Sequence, residues 1–213
     1  MKLVQMLVVC GALAVAPAAM AQTWELGAGV GGGFYTGHDI TSPGGTASTK
    51  IKSNLSASAW LDNNRHGKVG GELRYDYQRG DLRLNQGSTE ATFGAETHAI
   101  HYDVQWHFAD SESRVRPFVV VGGGIKVYRG TGTEVIDQPL SKVALLTKAQ
   151  DVTGLISVGA GFKMHLSPRV LLRLEVHDYI TTFPKQVITP ALGGSVGGWL
   201  QDIVPMIGLS FTN

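Results

Sequence analysis

The fold is decided by one stretch of the sequence, Val170-Leu171-Leu172-Arg173-Leu174-Glu175-Val176-His177. Its even-numbered positions are all apolar, whereas three of the odd-numbered positions carry Arg173, Glu175 and His177. Successive side chains of a β-strand point to opposite faces. The stretch therefore predicts a strand with one apolar face and one ionic face.

The same alternation recurs along the chain. Eight segments have it: 24–34, 50–61, 69–78, 98–108, 117–128, 152–166, the segment that begins at Val170, and 199–212.

The connections between these segments alternate in length. Residues 35–49, 79–97, 129–151 and 181–198 form long connections, and 62–68, 109–116 and 167–169 form short ones rich in turn formers. Short turns at one end and long loops at the other are typical of membrane barrels with an even number of strands. The predicted fold is all-β, an eight-stranded antiparallel up-and-down transmembrane β-barrel. A soluble sandwich also has short strands, but it has no reason to alternate its loop lengths.

The first 21 residues have the pattern of a secretory signal peptide. Lys2 precedes an apolar run at 7–16, and Ala19-Met20-Ala21 forms a small-residue cleavage site before Gln22. The alternative is an N-terminal membrane anchor. The expected domains are therefore a cleaved signal peptide, 1–21, and a barrel domain, 22–213. Cys10 is the only cysteine, so the exported chain is expected to contain no disulfide.

Charge and composition exclude several classes of protein. The chain has 18 basic and 17 acidic residues, and loss of Lys2 with the signal peptide leaves the two in balance. This balance gives no support to nucleic-acid binding. The 28 glycines are well above average usage, but an apolar fraction of 43% argues against disorder. No cofactor is expected.

Alternation alone does not say which face meets lipid, because a soluble lipocalin-like barrel buries its apolar face. The polar face here carries both signs of charge, diluted with Gly and Ser, as a narrow lumen requires. The apolar face gathers aromatic residues in two girdles near the strand ends. We therefore expect the apolar face to meet lipid. The residues of the girdles are Trp24, Trp106, Phe108 and Phe211 on the turn side and Phe34, Tyr75 and Tyr77 on the loop side.

Two residues do not fit this pattern. Trp60 falls on the polar face of its strand, which indicates either a β-bulge or a different register. Pro205 stands inside the last strand, where a closed barrel has no free edge for a residue without an N–H group.

The candidate site is an ionic network in the lumen, expected to consist of interleaved salt bridges with a structural role. A narrow conducting path is the alternative. The residues of the network are Glu72, Arg74, Asp76, His101, Asp103, Lys126, Lys163, Arg173 and Glu175.

Histidines and lipid-facing polar groups suggest two rival sites. His101, Asp103 and His107 share one face, with His165 and His177 on neighbouring polar faces, so these residues could bind a metal. A hydrogen-bond network in the lumen explains the same pattern, and no metal site is predicted. His98 and Asp178 break the parity of the lipid-facing surface, where a lipid-modifying enzyme has its catalytic groups, but no Ser lies clearly beside them and no nucleophile motif occurs.

The whole chain after the leader resembles the bacterial outer membrane protein β-barrel domain family, including the small OmpA/OmpX-like barrels. The resemblance implies a location in the cell outer membrane and insertion by the outer-membrane assembly machinery, which reads the last strand. Such strands usually end in an aromatic residue, whereas Thr212 and Asn213 follow Phe211 here. The segments that carry the resemblance are Gly71-Glu72-Leu73-Arg74-Tyr75-Asp76-Tyr77, Arg116-Pro117-Phe118-Val119-Val120-Val121-Gly122-Gly123-Gly124, Leu172-Arg173-Leu174-Glu175-Val176-His177-Asp178-Tyr179 and Ile207-Gly208-Leu209-Ser210-Phe211.

The expected function is that of an integral outer-membrane barrel with a structural, surface-interaction or narrow-pore role and no catalysis. The alternatives are a lipid-modifying outer-membrane enzyme and a soluble periplasmic ligand-binding barrel. The expected partners are outer-membrane lipid and, during insertion, the assembly machinery, with no nucleic acid. The protein is expected to be a monomer.

Overall fold

The computed structural model describes residues 24–63 and 67–212. The predicted signal peptide lies outside the described residues. The strands are β1 (Trp24–Gly31), β2 (Phe34–Tyr35), β3 (His38–Ser42), β4 (Gly45–Asn63), β5 (Val69–Gln86), β6 (Thr89–His107), β7 (Val115–Gly130), β8 (Ala144–Leu146), β9 (Gln150–Ser167), β10 (Val170–Thr182), β11 (Ile188–Pro190) and β12 (Trp199–Thr212). Within these residues no helix is both long and apolar enough to cross a membrane.

Eight of the strands form a closed antiparallel ring. The order around the wall is β1, β12, β10, β9, β7, β6, β5 and β4, and β4 pairs again with β1. The short strands β2 and β3 extend this sheet, while β8 and β11 form a separate two-stranded sheet. The predicted eight-stranded antiparallel barrel is confirmed.

Apolar side chains cover the outside of the ring from the short turns to the loop-side aromatic residues. On β10, Leu174 and Val176 are exposed, whereas Arg173 and Glu175, which alternate with them, are buried in the lumen. The aromatic girdles lie on the same outer face, with Trp106, Phe108 and Phe211 at the turn end and Phe34 and Tyr75 towards the loops. Large exposed apolar residues in this continuous band match a surface that lipid covers.

The prediction of a long loop at 79–97 is wrong. Strands β5 and β6 continue beyond the membrane and remain paired up to Gln86 and Thr89, which flank a two-residue turn. Gly87 in this turn has a φ of +60°, a left-handed conformation that glycine adopts without a Cβ clash. Residues 79–97 contain many polar residues, and these indicated a loop. In the structure the polar residues occupy the water-facing positions of a hairpin.

The chemistry of the two faces inverts above the membrane, although the alternation itself does not change. Glu72, Arg74 and Asp76 point into the lumen, and further along the same face of β5 so do Leu82 and Leu84. The outward positions change at the same height from apolar to charged, because water replaces lipid outside the barrel.

An apolar cap fills the outer end of the barrel. The segments after β7 and after β10 fold over the mouth, and Ala191 N donates to Val143 O to join them. The buried residues of the cap are Tyr35, Ile40, Ala47, Ile51, Leu82, Leu84, Ala91, Phe93, Ala95, Tyr128, Val143, Ala144, Leu146, Phe183, Val187, Ile188, Val196 and Leu200.

Strand β4 contains a bulge, but not at Trp60. The register shifts between Ser53 and Leu55. Trp60 points into the lumen with 2% of its surface exposed, as its place on the polar face indicates. The bulge turns Lys52 outward, whereas regular alternation with Ser56 and Ser58 along the sequence predicts that it faces the lumen, and that prediction is wrong.

Pro205 is accommodated by a break in the neighbouring strand. Its carbonyl accepts a hydrogen bond from Gly32 N, so the side of Pro205 that lacks an N–H group also faces β1 and β2. The pairing is interrupted there, between Gly31 opposite Met206 and Phe34 opposite Ile203. The gap at residues 32–33 removes the need for a ladder bond from Pro205.

We expect Leu84→Ala to lower the free energy of unfolding by about 2–5 kcal/mol, because it leaves a cavity in the cap. The control Asn85→Ala, one residue further on the outer face, should change it by about 0.5 kcal/mol or less. Urea unfolding of the refolded protein measures both. Equal effects would show that 79–97 is not a packed hairpin.

We expect Leu174→Arg to cost about 2–4 kcal/mol in lipid vesicles, the penalty for a cation on the lipid-facing surface at mid-membrane. The measurement is again urea unfolding, with Leu174→Ile as the control. A cost below that of the control would place this face away from lipid.

Candidate functional site in the barrel lumen

The lumen is lined by ionic side chains from all eight strands of the wall. Each of the nine residues proposed from sequence is buried, with at most 7% of its surface exposed, and each faces inward. Moving a charge from water into such an enclosed space is costly unless a partner of opposite charge and hydrogen bonds compensate for it. The arrangement of these partners therefore determines what the lumen can do.

The layer nearest the turns is organised by Lys163 on β9. Its Nζ donates to Glu25 Oε2 at 2.7 Å, to Asp62 Oδ2 at 2.6 Å and to Gln105 Oε1 at 3.2 Å. These acceptors come from β1, β4 and β6, so one ammonium group joins four strands across the lumen. All three donor sites of the lysine are used.

Two guanidinium groups form the next layer. Arg173 Nη2 lies 2.6 Å from Glu72 Oε2 and 2.7 Å from Glu175 Oε2, and its Nη1 donates to Asp62 Oδ2 at 3.0 Å. Arg74 contacts the same two glutamates, with Nε 2.5 Å from Glu72 Oε1 and Nη2 2.5 Å from Glu175 Oε1. Each glutamate is thus shared by two arginines, which is the charge-assisted, forked geometry that guanidinium groups favour.

Aromatic rings pack against these cations. The Trp60 ring centroid lies 4.5 Å from Arg173 Cζ and 4.8 Å from Arg74 Cζ, and the indole Nε1 donates to Ser210 Oγ at 3.0 Å. The Phe118 ring centroid also lies near this guanidinium, 5.0 Å from Arg173 Cζ. These rings fill space in the lumen and interact favourably with the cations through their faces.

His101 is the centre of the third layer. Its Nδ1 lies 2.9 Å from Asp103 Oδ1 and its Nε2 lies 2.9 Å from Asp76 Oδ2. Imidazole donates from both nitrogens only when it carries two protons. With both protons present, His101 would supply a cation between two carboxylates, and Ser58 and Tyr179 also donate to Asp76.

The uppermost layer joins the ionic lumen to the apolar cap. Lys126 Nζ donates to Asp202 Oδ2 at 2.5 Å, and Gln78 Nε2 donates to the same oxygen at 2.8 Å. Tyr35, a residue of the cap, donates from its hydroxyl to Gln78 Oε1 at 2.8 Å. The ionic layers and the cap are therefore continuous.

The sequence analysis missed three acids of this network. Glu25 lies on the polar face of the first strand but was not paired with any cation, and Asp62 was assigned to a turn although β4 runs to Asn63. Asp202 has the opposite parity to Ile203, which was the only signal for its inward orientation. These acids are the partners of Lys163 and Lys126. Matching each inward-facing cation with an inward-facing acid would therefore have predicted them.

The residues considered for metal binding or lipid chemistry are not assembled into one site. His98 lies on β6 with its Nδ1 2.8 Å from the Tyr75 hydroxyl, whereas Asp178 lies on β10 beside Val158 and Ile203. Strands β7 and β9 separate the two. Among the described residues no group of three or more His, Cys, Asp and Glu side chains has the geometry to hold a metal ion.

The fold is shared with solved outer-membrane barrels. OprG from Pseudomonas aeruginosa has a TM-score of 0.60 and 14% identity, over 91% of this chain and 96% of that one. Neisserial surface protein A (NspA) has a TM-score of 0.52 and 10% identity, over 88% and 96%.

At these identities the likeness to solved structures concerns the fold alone. No curated protein sequence matches significantly. A family model described as "Outer membrane protein beta-barrel domain" matches residues 6–196, which is most of the chain. The closed strand ring, its lipid-facing band and this match lead to one conclusion: the chain belongs to the outer membrane protein β-barrel domain family.

Proposed function

We propose that the protein is a closed, non-catalytic barrel that anchors a folded cap at the cell surface and has a structural or surface-interaction role. The observation that carries this proposal is the filling of the lumen, from Lys163 near the turns to the apolar cap at the outer mouth. An interior of eight strands is only wide enough for side chains. The barrel then serves as an anchor, and its accessible chemistry lies outside the membrane.

The filled lumen favours this role over that of a narrow pore. An ion crossing the barrel would have to separate Arg173 from Glu72 and Glu175, and each separated charge would remain buried without its partner. It would then have to pass through the apolar cap, where Leu82 and Leu84 offer no polar group to an ion.

The separation of His98 from Asp178 argues against the lipid-modifying enzyme. A Ser, His and Asp arrangement requires its members within hydrogen-bond reach of one another. His98 is instead hydrogen-bonded to Tyr75 of the aromatic girdle, and its Nε2 lies 3.8 Å from Glu96 Oε1.

The outer end of the molecule has features suited to contact with a partner. Ile136 and Leu192 are 100% and 99% exposed on segments of the cap. A cavity of about 480 Å³ opens where β9 and β10 separate, with Asp151, Lys185 and Gln186 among its lining residues. Exposed apolar side chains and concave pockets with polar groups are each typical of interaction sites.

We also propose how the protein reaches the outer membrane. The leader 1–21 directs export and is removed, the assembly machinery inserts the domain 22–213 into the outer membrane, and the domain remains a monomer in contact with outer-membrane lipid. No cofactor is expected.

We expect the refolded protein to give no steady conductance in planar lipid bilayers and to release no fatty acid from labelled phospholipid vesicles. The same preparation must show the change in gel mobility on boiling that marks a folded barrel. A reproducible ohmic conductance would support the pore instead, and release of fatty acid that is lost in His98→Ala would support the enzyme.

We expect Glu175→Leu to lower the free energy of unfolding by about 3–5 kcal/mol, because Arg74 and Arg173 each lose a buried partner. The matched control is Glu112→Leu in the exposed turn before β7, with an expected change of about 0.5 kcal/mol or less. Urea unfolding in lipid vesicles measures both. A neutral Glu175→Leu would mean that the ionic face is not a closed lumen.

A further inference from the structure

Basic side chains are concentrated on one side of the barrel, just above the loop-side aromatic girdle. They lie on the outer face of β4, β5 and β7, within the four adjacent strands β4 to β7, and we call this set the basic rim. The basic rim consists of Lys50, Lys52, Arg79, Arg83 and Arg129.

Strand register shows that these side chains are neighbours. Arg79 on β5 is directly opposite Leu55 on β4 and Glu96 on β6, and Glu96 is directly opposite Arg129 on β7. In the next rows outward, Lys52 is opposite Asp81 and Lys50 is opposite Arg83. Directly paired residues on one face have Cβ atoms about 5 Å apart, so the cations form one continuous surface.

The β4 bulge is what brings two of these cations to the surface. Without the shift between Ser53 and Leu55, Lys50 and Lys52 would share the inward face with Ser56 and would enter the apolar cap. With it, Ile51 points into the cap and both lysines point to solvent. The bulge thus allows Ile51 to pack in the cap and places Lys50 and Lys52 in the basic rim.

The height of the basic rim corresponds to the headgroup layer. Tyr77 and His98 form the row immediately below Arg79, with ring centroids 5.2 Å apart, and Tyr75 lies one row lower. Tyrosine belts sit at the level where acyl chains meet headgroups. Arg79 is two positions after Tyr77, about 7 Å along the strand.

The charges of the rim are only partly neutralised by the protein. Arg129 Nη1 lies 3.5 Å from Glu96 Oε1 and Arg83 Nη1 lies 3.1 Å from Glu90 Oε1, both at exposed sites. In the part of the chain that the structure describes, no ion pair involves Arg79, Lys50 or Lys52. This surface thus carries five cations and three acids, so a surplus of positive charge remains. The acids are Asp81, Glu90 and Glu96.

The opposite wall has no such surplus. The outward positions of β10 and β12 at the loop end are Thr182, Gln201 and Trp199, which are uncharged. The cationic surface is therefore a property of one side of the barrel and not a general feature of strand ends.

We propose that the basic rim binds the phosphate groups of phosphorylated lipids in the outer leaflet. Guanidinium groups match phosphate oxygens in a forked geometry, and basic residues beside an anionic membrane surface add to affinity one by one. Arg79 and Arg129, with Lys52, are the cations closest to the girdle and make the principal contacts. The protein thereby holds such lipids along β4 to β7.

The test compares the protein, refolded in detergent, with the triple variant Lys52→Gln, Arg79→Gln, Arg129→Gln. The matched control removes three exposed cations elsewhere: Lys68→Gln, Arg114→Gln and Arg169→Gln. The probes are lipid A carrying both phosphates and the same lipid after enzymatic removal of its phosphates, and affinity is measured by titration in mixed micelles. Gel mobility before and after boiling verifies that all three proteins are folded.

We expect the triple variant to bind phosphorylated lipid A more weakly, by about fivefold for each cation removed. The control should bind as the original protein does, and all three should bind the dephosphorylated lipid equally weakly. Millimolar inorganic phosphate should not displace the lipid, because the girdle positions the lipid and not the free ion.

Three outcomes would overturn the proposal. In the first, the triple variant binds as tightly as the original protein. In the second, loss of the lipid phosphates has no effect on binding. In the third, inorganic phosphate or a soluble anionic polysaccharide displaces the lipid fully, which would identify a site for soluble anions. Each outcome concerns the outer surface, so it is distinguishable from a finding that the lumen conducts.

Discussion

The structure depends on the sharing of buried charges across the lumen. Arg173 alone lies within 3.0 Å of carboxylate oxygens of Asp62, Glu72 and Glu175, on three strands of the wall, and Lys163 adds Glu25 from a fourth. None of these charges is tolerable alone in an enclosed space, so the network is complete only when the ring is closed. Strand pairing fixes neighbours in the wall, and the network connects strands that are not neighbours.

One rule of alternation serves two environments along the same strands. The inward face of β5 carries Arg74 and Asp76 in the membrane and Leu82 and Leu84 above it, while the outward face changes in the opposite sense. In lipid the outside must be apolar and the narrow inside can hold paired charges, whereas in water an apolar inside provides the driving force for packing. The change of chemistry near Gly80 therefore marks where the strand leaves the membrane.

Much of this could be predicted from the sequence, since lipid-facing strands have a strict period of two. The alternation around Leu174 and the lengths of the connections were sufficient for eight strands and their order. The hairpin at 79–97 was missed because its apolar inward residues are diluted by polar residues that face water. The outward position of Lys52 was not predictable since a bulge leaves no clear pattern in the sequence, and the break opposite Pro205 required knowledge of which strands close the ring.

An ionic lumen also affects the chain before it folds. A strand such as 170–177, if apolar on both faces, would form a continuous β-prone segment liable to pair with other copies in water. Arg173 and Glu175 interrupt that segment with opposite charges, which keeps the unfolded strand hydrated. The same charges become costly on burial and are then stabilised only by partners on other strands, so they favour the complete barrel over partly paired forms. These two effects account for salt bridges in a narrow barrel that apolar side chains could also have filled.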